Sequence, residues 1–206
     1  MVTRYEPARQ AHAWRPADFV GGHPALDFLN TVADTSKTRD EDKLVDWPAV
    51  RAWAAKSGLL AAADLTRFLR HPRQDGADEL AALHGFREDA YAALAYLTAG
   101  DGDGGSVGAR AADRLAVAIR DAIGRSTFEA IDGRFGWRPD ARAASRWIDA
   151  AALGFEHLLR GDDFARVRQC GRCTWFFIDR GRGVGRRWCD MRTCGNRAKV
   201  EAFRER

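Results

Sequence analysis

Four cysteines near the end of the chain form two pairs with a regular spacing. Cys170 and Cys173 are a Cys-x2-Cys pair, and after fifteen intervening residues Cys189 and Cys194 are a Cys-x4-Cys pair. Two thiolate pairs on tight turns are the donor set of a tetrahedral Zn²⁺ site, with each sulfur at about 2.3 Å from the metal. Because four thiolates complete the tetrahedron, the pattern predicts one structural zinc ion and no zinc-bound catalytic water.

Thiol–disulfide chemistry at Cys170 and Cys173 is the alternative to zinc. The N-terminal "MVTRYEPARQ" lacks the apolar segment of a signal peptide, and no stretch approaches the roughly 18 apolar residues of a membrane span. We therefore expect a cytoplasmic protein with no membrane partner, in a reducing compartment that disfavours structural disulfides. The aromatic "TWFFID" after Cys173 also differs from the strand-to-helix setting of thioredoxin-like redox pairs, so we favour zinc.

Positive charge is concentrated around the same cysteines. Residues 164–206 contain 12 Lys or Arg against 4 Asp or Glu, a net charge of +8, whereas the preceding residues carry −4. Zn²⁺ with four thiolates would lower the charge of the basic segment by about two units, which leaves most of the positive charge unexplained by the metal. The surplus favours binding to a polyanion such as DNA, with an acidic protein partner or a solvated basic tail as alternatives.

Arginine is suited to phosphate because its planar guanidinium presents a fork of donors. The candidate nucleic-acid contacts are Arg182, Arg186, Arg187, Arg192, Asn196, Arg197, Lys199 and Arg204. Asn196 and Arg197 suit the base edges of adenine and guanine, although Asn196 would equally suit a helix cap. For Trp175, Phe177 and Trp188 we favour a small core under the zinc over base stacking.

The cysteines need a scaffold of turns, strands and a helix. "TWFFID" predicts a strand, "GRGVG" a turn and "RRW" a returning strand, which together form a hairpin between the ligand pairs. "GNRAKVEAFRER" predicts a helix with Val200 and Phe203 on one side and Arg197 and Arg204 on another. A hairpin followed by a helix that begins near the last ligand describes a treble-clef-like zinc finger.

Upstream of the finger, hydrophobic periodicity predicts a mainly α-helical domain with one small β-hairpin. The hairpin is expected to pair Phe128 and Ala130 with Phe135 and Trp137 across an Asp132-Gly133 turn. Polar residues 34–43 predict a loop. The expected helices lie within residues 25–33, 46–58 with Asp46 as N-cap, 62–70, 77–100, 107–122 and 141–160.

The helical part contains no recognisable catalytic pattern. His23, His71, His84 and His157 are scattered, and neither a Ser-His-Asp order nor a glycine-rich phosphate loop accompanies them. We therefore expect that the protein is not an enzyme. Asp27 and Asn30, beside Gly21-Gly22, are candidates for a small-molecule pocket, or else for a capped turn with buried hydrogen bonds.

Residues 170–206 resemble the CGNR-type zinc finger, named for a run that Cys194-Gly195-Asn196-Arg197 matches. "FVGGHPALDFLNTV", residues 19–32, resembles the start of the ABATE domain that usually precedes this finger. The resemblance implies a stress-induced transcription regulator in which residues 1–161 form a sensory or dimerising helical domain and residues 162–206 a DNA-binding finger. It also implies that Cys170, Cys173, Cys189 and Cys194 hold the zinc.

The expected partners are DNA, a second copy of the chain in a homodimer, and an unidentified small molecule or protein for the helical domain. The alternative function is a zinc-stabilised module for protein interaction or ligand sensing without direct DNA binding. The glycine-rich "DRGRGVGRRW" departs from the Ser and Asn expected at the tip of a CGNR finger, which affects the contacts of the tip and not the zinc ligands.

Overall fold

A computed structural model describes residues 12–33, 37–71, 75–99, 105–131, 133–181 and 185–204. In this part of the chain the helices are α1 (Pro24–Leu29), α2 (Trp47–Ser57), α3 (Ala62–Leu69), α4 (Ala77–Thr98), α5 (Gly105–Gly124), α6 (Arg146–Arg160) and α7 (Asn196–Arg204). The strands are β1 (Val32–Ala33), β2 (Glu41–Asp42), β3 (Ser126–Ile131), β4 (Arg134–Pro139), β5 (Val167–Gln169) and β6 (Phe176–Ile178), paired antiparallel as three two-stranded sheets. No helix of the described residues is long and apolar enough to span a bilayer. The mainly α-helical class is confirmed.

Local signals determine where several helices begin and end. Asp46 caps α2 as predicted, because its carboxylate accepts a hydrogen bond of 2.8 Å from the backbone N–H of Ala49. Gly58 ends the same helix with a φ of 70°, a left-handed conformation that glycine adopts without steric cost. Helix α6 begins later than predicted, since residues 141–145 form turns and the carboxylate of Asp140 accepts from the N–H of Arg142.

The hydrophobic core is built around α1, which is short but almost completely buried. The ring of Phe28 lies 5.6 Å from that of Trp53 in α2 and 6.2 Å from that of Phe86 in α4. Phe86 in turn contacts Phe155 of α6, with ring centroids 6.0 Å apart. Helix α5 packs against both α4 and α6. The segment that resembles the start of the ABATE domain therefore lies at the centre of the helical part.

The predicted loop at residues 34–43 contains strand β2, which pairs with β1 through Val32 with Asp42 and Ala33 with Glu41. The buried side chain of Arg87 holds this small sheet together. The guanidinium of Arg87 in α4 donates to Asp42 at 2.6 and 2.9 Å and to the hydroxyl of Thr31 at 3.0 Å. Residues 34–36 of the loop lie outside the described residues.

The hairpin of β3 and β4 has the predicted register. Phe128 pairs with Trp137 and Ala130 with Phe135. Asp132 of the predicted turn lies outside the described residues, and Gly133 has a φ of 80°. The alternation of apolar residues therefore correctly predicted which residues of β3 and β4 pair and where the hairpin lies in the sequence.

The pairing of the finger strands differs from the sequence prediction. "TWFFID" does form a strand, β6, but its partner is β5, which precedes the first cysteine pair. Residues 185–188 form no strand. The reason is local: the N–H of Cys170 donates to the carbonyl of Trp175 at 2.8 Å, which closes a turn that brings β5 and β6 together. The carboxylate of Asp179 then accepts from the N–H groups of Gly181 and Arg186 and turns the chain away after β6.

The outer edge of β6 is paired with the helical part. The side-chain amide of Asn30 donates to the carbonyl of Phe176 and accepts from its N–H, both at 2.9 Å, as a neighbouring strand would. Next to this pair, the N–H of Ile178 donates to the carbonyl of Gly21 at 2.8 Å. Asn30 and Phe176 are fully buried, so water cannot replace these bonds. They join the finger to the segment at residues 21–30.

We expect Asn30→Ala to destabilise the zinc-loaded protein by about 2–4 kcal/mol, because it leaves a buried N–H and a buried C=O of Phe176 unpaired. Urea denaturation followed by circular dichroism measures the change. Asn196→Ala, at an exposed position, is the matched control and should change the free energy of unfolding by less than about 0.5 kcal/mol. Equal effects of the two substitutions would contradict the role given to Asn30.

Candidate metal centre and basic surface

The four predicted cysteines meet in one buried cluster. Their sulfur atoms all lie within 4.8 Å of one another. The Sγ atom of Cys189 lies 3.7 Å from that of Cys173 and 3.6 Å from that of Cys194. A tetrahedron with metal–sulfur distances of about 2.3 Å has edges of roughly 3.8 Å, so the spacing fits zinc. The cysteines form no disulfide.

Backbone hydrogen bonds hold the two cysteine pairs together. The N–H of Gly171, in the first pair, donates to the carbonyl of Arg187 at 2.9 Å. The N–H of Cys189 points at the sulfur of Cys170, with a distance of 3.4 Å between nitrogen and sulfur. An N–H directed at a thiolate stabilises its negative charge, as is usual among the second-shell contacts of metal sites. Cys194 lies in the turn Met191–Gly195, from which α7 continues.

The thiols perturb one another electrostatically. Hydrogen bonds from Cys173 and Cys189 lower the pKa of Cys170. Its own bond with Cys170 raises the pKa of Cys173 to about 12, and the same kind of crowding raises the pKa of Cys189. Four thiolates at these distances repel one another unless a cation lies between them, and Zn²⁺ supplies that charge.

The aromatic side chains of the finger form a small core with the cysteines. Phe177 is completely buried, and Trp175 and Trp188 pack against the cluster. The indole N–H of Trp175 donates to the carbonyl of Val32 at 2.7 Å, so this ring also contacts the helical part. The guanidinium of Arg186 lies 4.3 Å from the ring centre of Phe177. These contacts agree with the core interpretation of the aromatics.

The predicted nucleic-acid contacts lie on the surface around this core. Arg182 lies outside the described residues. The exposed members of the set are Arg186, Arg187, Arg192, Asn196, Arg197, Lys199 and Arg204. The guanidinium of Arg187 lies 4.7 Å from the ring centre of Trp188, and Arg197, Lys199 and Arg204 project from α7, none of whose residues is buried. Among the described residues, no carboxylate forms an ion pair with these cations.

Two other arginines of the finger are paired. Arg172 binds the carboxylate of Glu201, and Arg180 binds Asp163 at 2.6 Å. Arg180 also donates to the carbonyl of Gly22 at 3.3 Å. Arg172 and Arg180 therefore connect parts of the protein, and their guanidinium groups are already bound to carboxylates.

Asn196 follows the turn Met191–Gly195, which contains the last cysteine, and is the first residue of α7. Its side-chain nitrogen donates to the carbonyl of Arg192 at 3.3 Å, one turn earlier. The side chain is exposed and makes no capping bond to α7 among the described residues. Asn196 therefore bonds to the preceding turn and does not cap α7.

Asp27 and Asn30 are buried, and their hydrogen bonds go to the protein backbone. Asp27 accepts from the N–H of Gly21 at 2.8 Å, and Asn30 pairs with Phe176 as described. Neither residue lines the cavity that the structure contains elsewhere, near His157. Of the two interpretations of this pair, the turn with buried hydrogen bonds describes their contacts.

Sequence reasoning missed Gly21 as a residue that positions the site, and it missed that Trp175 also contacts the helical part. A Cβ at Gly21 would lie 2.8 Å from Oδ1 of Asp27, so only glycine allows this close approach. The signal was present in the Gly21-Gly22 pair, but its partner strand lies more than 150 residues later. Local patterns do not reveal such a pairing.

Two family models match the chain. The model described as "CGNR zinc finger" matches residues 166–206. The ABATE model, described as "Putative stress-induced transcription regulator", matches residues 22–172 and so covers more than half of the chain. No curated protein matches the chain. The matched finger and the buried cluster of four sulfurs together identify the site of one structural zinc ion.

We expect one zinc ion per chain in wild-type protein purified under reducing conditions. Cys189→Ser should lose the metal together with the finger structure, because a hydroxyl is a poor ligand for zinc and three thiolates remain. Elemental analysis measures the metal, and near-ultraviolet circular dichroism of Trp175 and Trp188 measures the structure. Wild-type protein without zinc, or a Cys189→Ser variant that keeps a full equivalent, would contradict this assignment.

Burial raises the pKa of Asp27 to about 7, although the N–H of Gly21 opposes the effect. The folded protein therefore holds a proton that the unfolded chain releases near pH 4, and the contribution of Asp27 to stability falls as the pH rises from about 4 to 7. Asp27→Asn keeps an acceptor for Gly21 and should be more stabilising at pH 8 than at pH 5, by an amount on the order of a few kcal/mol.

Thermal denaturation of both proteins between pH 5 and pH 8 measures this difference. Zinc binding makes the stability of wild-type protein and of Asp27→Asn depend on pH in the same way, so the difference between the two proteins does not contain this contribution. Asp113→Asn, which removes an exposed carboxylate of α5, is the matched control. A constant difference for Asp27→Asn would disprove the raised pKa of Asp27.

Proposed function

The chain belongs to the ABATE family and carries its CGNR zinc finger, and we propose that it is a transcription regulator that binds DNA through the finger. The observation that carries the proposal is the set of exposed arginines and a lysine around the closed zinc site, whose charges are not neutralised by ion pairs among the described residues. Such a surface suits the row of phosphates in a nucleic-acid backbone. Four thiolates around zinc argue for a structural metal and against a catalytic step.

Two parts of the finger would act differently on DNA. Arg186 and Arg187, held over aromatic rings, suit phosphate oxygens, and this contact fixes position on the duplex without reading sequence. Helix α7 presents Arg197 and the exposed amide of Asn196 near its start. These side chains suit the base edges of guanine and adenine in the major groove, which is wide enough for a helix.

The helical part would regulate the finger by binding a ligand or a partner. Its contacts with β6 through Asn30 and Gly21 provide a physical connection between the two. A homodimer would combine two modest half-site contacts into a stronger one. The function belongs to the cytoplasm, where a reducing environment keeps four thiols available as zinc ligands. The wording of the family description supports a role in the response to stress.

A partner-binding finger is the second candidate, and the exposed apolar residues at its end favour it. Met191, Val200 and Phe203 are 47%, 50% and 80% exposed. Together with the basic residues, they would suit an acidic protein partner. If this function is correct, the finger should capture an acidic protein, and any retention of the chain on DNA should hardly depend on salt concentration.

DNA binding predicts a steep loss of affinity with salt, which fluorescence anisotropy of a labelled duplex measures between 50 and 200 mM. Arg186→Gln and Arg187→Gln should each lower the slope of log affinity against log salt concentration by about 0.9, since each removes one phosphate contact. Arg120→Gln, an exposed arginine of α5, is the control and should leave the slope unchanged. Zinc content is measured in every variant.

If both finger variants keep the wild-type slope, the finger does not bind DNA through this surface. If wild-type protein shows no salt-dependent affinity for duplex DNA at all, the partner-binding candidate replaces the proposal. Crosslinking to the genome followed by sequencing then identifies the target sites of a protein that does bind.

A further inference from the structure

The helical part contains a cavity of about 780 Å³. It lies between the start of α1, the loop after α2, the hairpin of β3 and β4, and the last turns of α6. Cavities of roughly 300–1,000 Å³ are typical of sites for small organic molecules. Neither family description assigns a role to this cavity.

One wall of the cavity is made of aromatic rings that the protein leaves uncovered. Phe128 lies 4.8 Å from Trp137 and 5.5 Å from Phe135, measured between ring centres. Phe128 is 56% exposed and Phe135 73% exposed. The opposite side is aliphatic, with Leu59 and Leu153. Apolar surface of this extent is stabilised when a flat apolar molecule removes it from water.

A pair of histidines forms the polar end. The rings of His23 and His157 are stacked, and Nε2 of His23 lies 3.0 Å from Nδ1 of His157. Nδ1 of His23 accepts from the backbone N–H of Ala25, so in a neutral ring the proton is on Nε2, which donates to His157. Burial, aided by His157, lowers the pKa of His23 to about 4, so this ring is neutral near pH 7.

This chain of hydrogen bonds determines the tautomer of His157. Its Nδ1 is an acceptor, so a neutral His157 carries its proton on Nε2. Among the described residues, no group accepts from this N–H, and the side chain is exposed at the cavity wall. The cavity therefore combines an aromatic wall with a hydrogen-bond donor that has no acceptor among the described residues.

The charged groups around the cavity are paired with one another. Asp64 binds Arg138 at 2.9 Å and Arg67 at 3.2 Å. Glu156 binds Arg160 at 2.7 Å. Because these pairs balance positive and negative charge, the N–H of His157 is the specific polar feature of the site.

We propose that this cavity binds a planar aromatic molecule with one or two rings that carries a carbonyl or carboxylate oxygen, which accepts a hydrogen bond from His157. The rings of Phe128 and Trp137 would contact the flat faces of the molecule. The volume of the cavity is in the range that suits one small molecule. The proposal concerns binding at the helical part and does not depend on whether the finger binds DNA.

The cavity adjoins the segment that holds the finger. His23 follows Gly22, whose carbonyl accepts from Arg180, and Gly21, whose carbonyl accepts from the N–H of Ile178 in β6. A molecule bound against the histidine pair would thus contact His23, which directly follows the two glycines that join the helical part to the finger. The site is well placed for an effector.

Isothermal titration calorimetry of the full zinc-loaded chain with 2-naphthoate tests the site. Gly136→Leu should reduce affinity more than tenfold, because the added side chain fills the cavity beside Ile131 and its Cβ has room, 3.7 Å from Cδ1 of that residue. His157→Phe keeps a flat ring but removes the donor, and should weaken binding about tenfold, as expected for one hydrogen bond.

Matched controls use the same substitutions outside the cavity. Gly85→Leu in α4, where a Cβ meets no atom within 4 Å, and His71→Phe after α3 should bind as wild type does. Naphthalene without the acceptor oxygen should bind His157→Phe and wild-type protein equally. Thermal denaturation verifies that each variant is folded.

Absence of 2-naphthoate binding at millimolar concentration overturns the proposal, and so does binding that folded Gly136→Leu retains in full. Binding that Gly136→Leu abolishes but His157→Phe leaves unchanged overturns the role of the donor and hence the class of ligand. DNA affinity is not part of this test, so its outcome is separate from that of the proposed function.

Discussion

The outer edge of β6 is the constraint on which the arrangement of the molecule depends. The strand is three residues long and pairs on one side with an equally short β5, so its other side must find hydrogen bonds elsewhere. Asn30 and Gly21 provide these bonds to Phe176 and Ile178 in a buried environment. The helical part thus completes a sheet of the finger, and the segment at residues 21–30 is needed by both.

The zinc ligands inherit their positions from this pairing. Strands β5 and β6 are joined by the turn that contains Cys170 and Cys173, and the bond between Gly171 and Arg187 brings the second pair to the first. Metal and backbone together close the site, while α7 continues from the last ligand without burying a residue. The basic side chains of α7 are therefore presented to solvent, where a polyanion can reach them.

The parts that the sequence predicted well are those governed by neighbouring residues. The cap of α2 at Asp46, the register of β3 with β4, and the spacing of the four cysteines each depend on contacts or patterns within a short stretch. Strand β2 escaped prediction because Arg87, about 45 residues away, holds Asp42 in place. The division at residues 161 and 162 stays a prediction.

The amino-acid sequence by itself determined the zinc ligand set, the basic character of the finger and most helices, since spacing, charge and periodicity are properties of the chain. Only the tertiary structure decided that β6 pairs with β5 and with Asn30, that Asp27 is a buried carboxyl group, and that His23 meets His157 beside an aromatic wall. Each of these depends on which distant groups exclude water from one another. Burial of a polar group, and the partner it then requires, cannot be determined until the chain has folded.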